Sequence, residues 1–165
     1  MIGRNHLAFG AGTYLLAGSY LQYMGAPTTW LFLAPVAMLG SLMPDIDHPD
    51  SLVKKNVVVK VLSFPLILLG HRTWSHSLLI LAAIYWLWMA VPDFFELSVL
   101  AFAIGYISHL VGDWMTSEGI PLLFPFPINF RSPFYFQSGS LIEYPVAITP
   151  LVISAYLFAT ANNYI

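Results

Sequence analysis

The chain contains no cysteine, so neither a disulfide framework nor a thiolate metal site is open to it. Charge is almost as scarce. Charged residues make up 8% of the 165 positions, against about 25% in an ordinary globular domain. From Asn5 to Pro44 there is no Asp, Glu, Lys or Arg. A soluble protein this poor in charge lacks the polar surface to stay dispersed. The net charge of -2 gives no electrostatic footprint for a nucleic-acid partner. Familiar catalytic signatures are absent as well. There is no Gly-x-Ser-x-Gly elbow, no His-Glu-x-x-His pair and no phosphate-cradling glycine loop. Internal repeats and low-complexity tracts are also missing.

Apolar residues dominate, at 58% of the chain. The expected fold is all-α: one integral membrane domain over residues 1–165, a polytopic bundle of about five spans plus a re-entrant or interfacial helix. The uncharged stretch after Asn5 is long enough for two crossings, near 7–24 and 29–43, with a turn at Gly25-Ala-Pro27. Arg4 followed by this hairpin reads as a first span and not as a cleaved signal. Val57–Leu69 is interrupted by Lys60 and Pro65 and suits the re-entrant or interfacial helix. Trp74–Val91, Leu97–Gly112 and Leu141–Ala161 are the remaining spans. Between the last two, residues 114–140 are rich in proline and aromatics and read as a structured loop at the membrane interface.

With the chain threaded this way, Arg4, Lys54, Lys55, Lys60, Arg72 and Arg131 all fall on one side. That side is expected to be the cytoplasmic face of the inner membrane. The polar motifs fall there too. They are Asp45-Ile-Asp47-His48, His71-Arg72-Thr-Trp74-Ser75-His76-Ser77 and His109-Leu-Val-Gly-Asp113, with His6 before the first span and Glu143 at the start of the last. Ionisable groups are costly near a bilayer and usually serve a site. Histidine with aspartate and no cysteine is a hydrolytic metal vocabulary.

His109 and Asp113 are four apart, one helical turn, so both can bind one ion or Asp113 can orient His109. A buried His–Asp hydrogen bond that only stabilises the bundle fits equally well. Asp45 and Asp47 converge if the segment is extended; alternatively they belong to a solvated loop with a helix-capping Asp. His71 and His76 sit at the mouth of the third span, with Ser75 as its candidate N-cap. Arg72 can pair with an anionic substrate, or serve as an ordinary headgroup-level cation. Glu143 is a candidate general base or ligand, or an interfacial charge. His6 joins the set because the other histidines look purposeful.

The candidate ligands are thus His6, Asp45, Asp47, His48, His71, His76, His109 and Asp113, with Arg72 and Glu143 as candidate catalytic groups. That is more than one zinc needs, so either several support the ligands or two ions lie about 3.5–4 Å apart. The expected cofactor is a divalent metal, zinc foremost, with manganese or iron as alternatives, as one or two ions.

Gly40-Ser-Leu-Met-Pro-Asp45-Ile-Asp47-His48, His71-Arg72-Thr-Trp-Ser75-His76-Ser77 and His109-Leu-Val-Gly-Asp113, continuing to Pro125, resemble the motifs of the YdjM-like membrane proteins, described as predicted membrane-bound metal-dependent hydrolases. The resemblance runs from about His6 to Glu143. It implies metal ligation by Asp45, Asp47, His48, His71, His76, His109 and Asp113. Trp74 departs from the small residue expected between the two histidines. The resulting expectation is hydrolysis of a phosphoester on a lipid or lipid-linked substrate, with membrane lipids as partners. The alternatives are a metal-ion transporter or sensor, and a structural membrane protein whose ion pins helices. The oligomeric state is not legible.

Overall fold

The structure is a computed structural model that describes residues 1–24, 28–48 and 73–162, without the side chains of Tyr23, Thr28 and Asp47. Among the described residues there are five α-helices and no strand. We label them α1 (Gly3–Tyr23), α2 (Ala34–Leu42), α3 (Leu78–Ala90), α4 (Asp93–Trp114) and α5 (Glu143–Ala161). The all-α expectation holds. The expected count of about five spans is not confirmed: among the described residues three stretches are long and apolar enough to cross a membrane, Thr29–Ile46, Asp93–Trp114 and Glu143–Ala161. α3 has the composition but only 13 residues. α1 has 21 residues but also carries Arg4, Asn5, His6 and Gln22. The helix expected over 57–69 lies outside the described residues, as does the turn at 25–27.

The polarity of the molecule is inverted relative to a soluble domain. Among the largest fully buried side chains are His6, His76, His109, Glu143, Thr116 and Asp113. Large apolar side chains point outward instead, including Phe32, Trp86, Met89 and Val152. A bilayer accepts that exterior, and the polar interior then has to satisfy itself.

α1 packs most extensively on α5, and α2 on α4, with α1 bridging to α2 and α4. α3 lies against α4 alone among the helices it touches most. Between hydrocarbon-facing helices the driving force is close packing, so small residues mark the contacts. A Cβ on Gly105 would overlap the carbonyl oxygen of Ala37, and one on Gly40 would overlap that of Phe102. The two glycines therefore let α2 and α4 meet backbone to backbone. Gly10 of α1 faces Ser41 and Ser108 at the same level.

The loop after α4 is irregular, as its prolines require, but it is stitched in place. Ser132 N–H donates to Trp114 O, and Phe136 N–H to Met115 O. Ile120 and Phe130 exchange both main-chain hydrogen bonds. Leu122 O accepts the first N–H of α3, from Leu78. Gly119 adopts φ 69°, and a side chain there would strike Phe130 O.

Gly105→Ala is expected to force α2 and α4 apart and to cost about 1–3 kcal/mol. Thermal unfolding in detergent checks this.

Candidate metal centre

Each polar motif arrives at one end of the bundle on a different element. α4 carries His109 and Asp113 on its last turns, one turn apart. The 3-10 turn Met43–Asp47, continuing from α2, carries Asp45. The 3-10 turn Trp74–His76, ahead of α3, carries His76. The hydroxyl of Tyr106 on α4 donates to Ser75 O and ties that turn down. α1 brings His6 in its first turn.

One donor atom from each of Asp45, His76, His109 and Asp113 lies within 4.8 Å of the others. The closer separations are uniform. His109 Nε2 is 3.3 Å from His76 Nε2 and 3.6 Å from Asp45 Oδ1. Asp113 Oδ2 is 3.4 Å from His76 Nε2 and 3.7 Å from His109 Nε2. A tetrahedral zinc with bonds of about 2.0–2.1 Å has ligand–ligand edges of about 3.3–3.4 Å. These four separations stand close to those edges, and the remaining two pairs stay within 4.8 Å. His76, His109 and Asp113 are fully buried, and Asp45 keeps 17% of its side chain exposed.

The chemistry of the donors fits as well as their spacing. His109 Nδ1 lies 2.7 Å from Ser41 O. A carbonyl only accepts, so Nδ1 carries the proton and the Nε2 lone pair is turned to the cluster. Ser41 is in the last turn of α2, where helical carbonyls run out of partners. A histidine ligand held by a carbonyl at its far nitrogen is the usual support of a metal site. His6 supplies similar support to the carboxylate: its Nε2 is 3.1 Å from Asp113 Oδ1, the oxygen turned away from the other histidines. Its ring stacks on His109 with centroids 3.6 Å apart. Gly112 leaves the room, since a Cβ there would press on Met1 and on the His6 ring.

The chain belongs to the YdjM inner membrane protein family. That family matches residues 1–164. Inner membrane protein YdjM of Escherichia coli (strain K12) is 32% identical over 164 residues, covering 95% of this chain and 83% of that protein. The YdjM protein of Shigella flexneri matches to the same extent. An uncharacterized protein, YvsG of Bacillus subtilis (strain 168), is 33% identical over 161 residues, covering 96% of this chain and 94% of its own length. No solved structure gives a significant match. With the apolar helices, the family makes this an inner membrane protein.

Of the residues singled out in the sequence, the structure thus gathers Asp45, His76, His109 and Asp113, with His6 behind Asp113. His48 ends the turn that carries Asp45 and is not one of the four donors. Asp45 and Asp47 do not sit on an extended segment. The segment is a 3-10 turn, whose three-residue repeat does not bring alternate side chains to one face. The Asp47 side chain lies outside the described atoms, and His71 and Arg72 lie outside the described residues. The N-cap of α3 is Ser77, not Ser75; Ser75 Oγ is 3.0 Å from His76 Nδ1 instead.

Glu143 is placed apart from the four donors and is fully buried. Its Oε1 accepts from Ile2 N–H at 2.6 Å and Asn5 Nδ2 at 2.7 Å, and its Oε2 from Gly139 N–H at 2.6 Å. It fastens the start of α1 to the start of α5, where both helix dipoles favour a negative charge. Ser41, Asn5 and Tyr106 were not singled out as site residues. The signal for Ser41 is its place just before Pro44, where the helix ends.

His109→Ala and His76→Ala are expected to abolish binding of zinc by the purified protein, measured by metal content after dialysis. His6→Ala should bind it about 10–100-fold more weakly, as loss of a ligand's support does. Glu143→Ala is expected to lose about 2–3 kcal/mol of stability through orphaned buried donors, with metal binding retained by the folded fraction.

Proposed function

We propose that this chain is a membrane-bound metal-dependent hydrolase that cleaves a phosphoester of a lipid or lipid-linked substrate at the cytoplasmic end of the bundle. The observation that carries the proposal is the convergence of Asp45, His76, His109 and Asp113 at one end of an apolar bundle, with Asp45 partly open to solvent and so the donor best placed to give way to water. Zinc is the first choice for two imidazoles and two carboxylates, with manganese or iron as substitutes. When bound in such a site, the ion supplies Lewis acidity and makes water a nucleophile near neutral pH.

The protein's own part is positioning. Ser41 O fixes the His109 tautomer, His6 and the Met1 main-chain nitrogen hold Asp113 Oδ1, and the Tyr106 hydroxyl holds the turn carrying His76. Asp45 is the one donor with solvent access, so substrate would approach past its turn. Arg72, four residues before His76, is the proposed partner for the transferred phosphoryl group. Glu143 is given no proton to move, because three N–H groups already use its carboxylate. The basic residues support the cytoplasmic placement. Arg4 in the first turn of α1 and Arg131 in the loop after α4 lie at the same end as the cluster.

One observation favours a purely structural ion instead. Four protein donors, three of them buried, complete a tetrahedral shell, and closed shells are typical of structural zinc. A carrier is less well supported, since the polar residues collect at one end and do not line a path.

Metal-loaded protein is expected to release phosphate or a phosphorylated headgroup from at least one member of a phospholipid and isoprenoid-phosphate panel. Chelation and His109→Ala should both stop the release. Absence of turnover across the panel, with chelation lowering the melting temperature, would instead establish the helix-pinning ion.

A further inference from the structure

The loop between α4 and α5 holds a polar cleft of about 470 Å³ that the metal centre does not use. Arg131 stands in its wall, and its guanidinium is held from two sides. The carbon Cζ lies 4.0 Å over the ring of Tyr135, and Nη1 donates to Ser117 O at 3.1 Å. A guanidinium has five N–H donors, and among the described residues this one spends a single donor, on Ser117 O. Pinned in this way, it loses little entropy when its remaining donors engage a ligand. The planar fork matches a phosphate with two parallel hydrogen bonds. Ser117, Asn129 and Ser132 add polar groups to the lining. Glu118 lines the cleft too, but it has an interaction of its own and is not a free counter-charge.

The surroundings say what should carry the phosphate. The same loop exposes Phe126 at 65%, Ile128 at 51% and Phe134 at 86%. It is stitched to Trp114 and Met115 at the end of the apolar helix α4, which is headgroup depth. Aromatic side chains at that depth sit among lipid headgroups and upper acyl chains. A cationic fork between exposed aromatics is arranged for a phosphate with hydrocarbon attached.

We propose that the Arg131–Tyr135 cleft is a docking site for the phosphate of a membrane phospholipid headgroup. The docking does not depend on turnover at the His–Asp cluster, and it stands even if the ion there only pins helices.

The test uses the full chain in detergent with its metal retained, titrated calorimetrically with dihexanoyl phosphatidic acid, dihexanoylglycerol and inorganic phosphate. Phosphatidic acid is expected to bind, dihexanoylglycerol not to bind, and Arg131→Gln to weaken the phosphatidic acid by about tenfold or more, the scale of a lost charged hydrogen bond. Arg131→Lys, which keeps the charge and loses the fork, should fall between. Glu118→Gln should tighten binding by removing a like charge, and this arm decides the matter if Arg131→Gln does not fold. Binding unchanged in folded Arg131→Gln, or in folded Glu118→Gln, overturns the proposal. So does binding that survives Arg131→Gln but is lost in His109→Ala, which would belong to the metal centre. Inorganic phosphate bound as tightly as phosphatidic acid overturns the lipid assignment.

Discussion

The hydrogen bond from His109 Nδ1 to the carbonyl of Ser41 is the contact on which the rest of the site depends. It fixes which nitrogen of His109 is protonated, and so which one faces the cluster. It forms only because α2 and α4 touch through their backbones, which Gly40 and Gly105 permit. It also uses a carbonyl in the last turn of α2, where helical partners run out. Helix packing, helix termination and ligand orientation therefore share one geometric condition. Separating the two helices would free the imidazole and move the turn that carries Asp45.

The same end of the bundle resolves a second problem. Buried histidine and carboxylate groups in a lipid-facing fold are costly unless each is engaged. Glu143 is engaged by three N–H donors at two helix starts. Asp113 is engaged by His6 on one oxygen, while the other turns toward His76 and His109. Two imidazoles and two carboxylates face one another in the middle. That donor set could hold a divalent cation.

Much of this was legible in the sequence, for identifiable reasons. The apolar runs announced an all-α membrane fold, and the four-residue spacing of His109 and Asp113 placed both on one face of a helix. Counting helix ends put His6, Asp45 and His76 at the same end. Local pattern could not give the backbone at Asp45-Ile-Asp47, because Pro44 begins an extended strand as readily as a 3-10 turn. It could not separate Glu143 from the ligands either. A carboxylate at a helix start looks the same in sequence whether it binds an ion or two main-chain N–H groups. The division of labour between His76 as donor and His6 as support is set by tertiary packing, and no spacing encodes it. Five crossings were counted from hydropathy, yet α3 is shorter than a bilayer requires and α1 is more polar than a lipid-facing span.

The most direct test of a four-donor centre is X-ray absorption at the zinc edge on stoichiometrically loaded protein. The account predicts a four-coordinate shell of light atoms at about 2.0 Å with the outer-shell scattering of two imidazoles, and loss of the zinc signal itself in His76→Ala. A six-coordinate shell of oxygen with no imidazole signature, unchanged by His76→Ala, would contradict it.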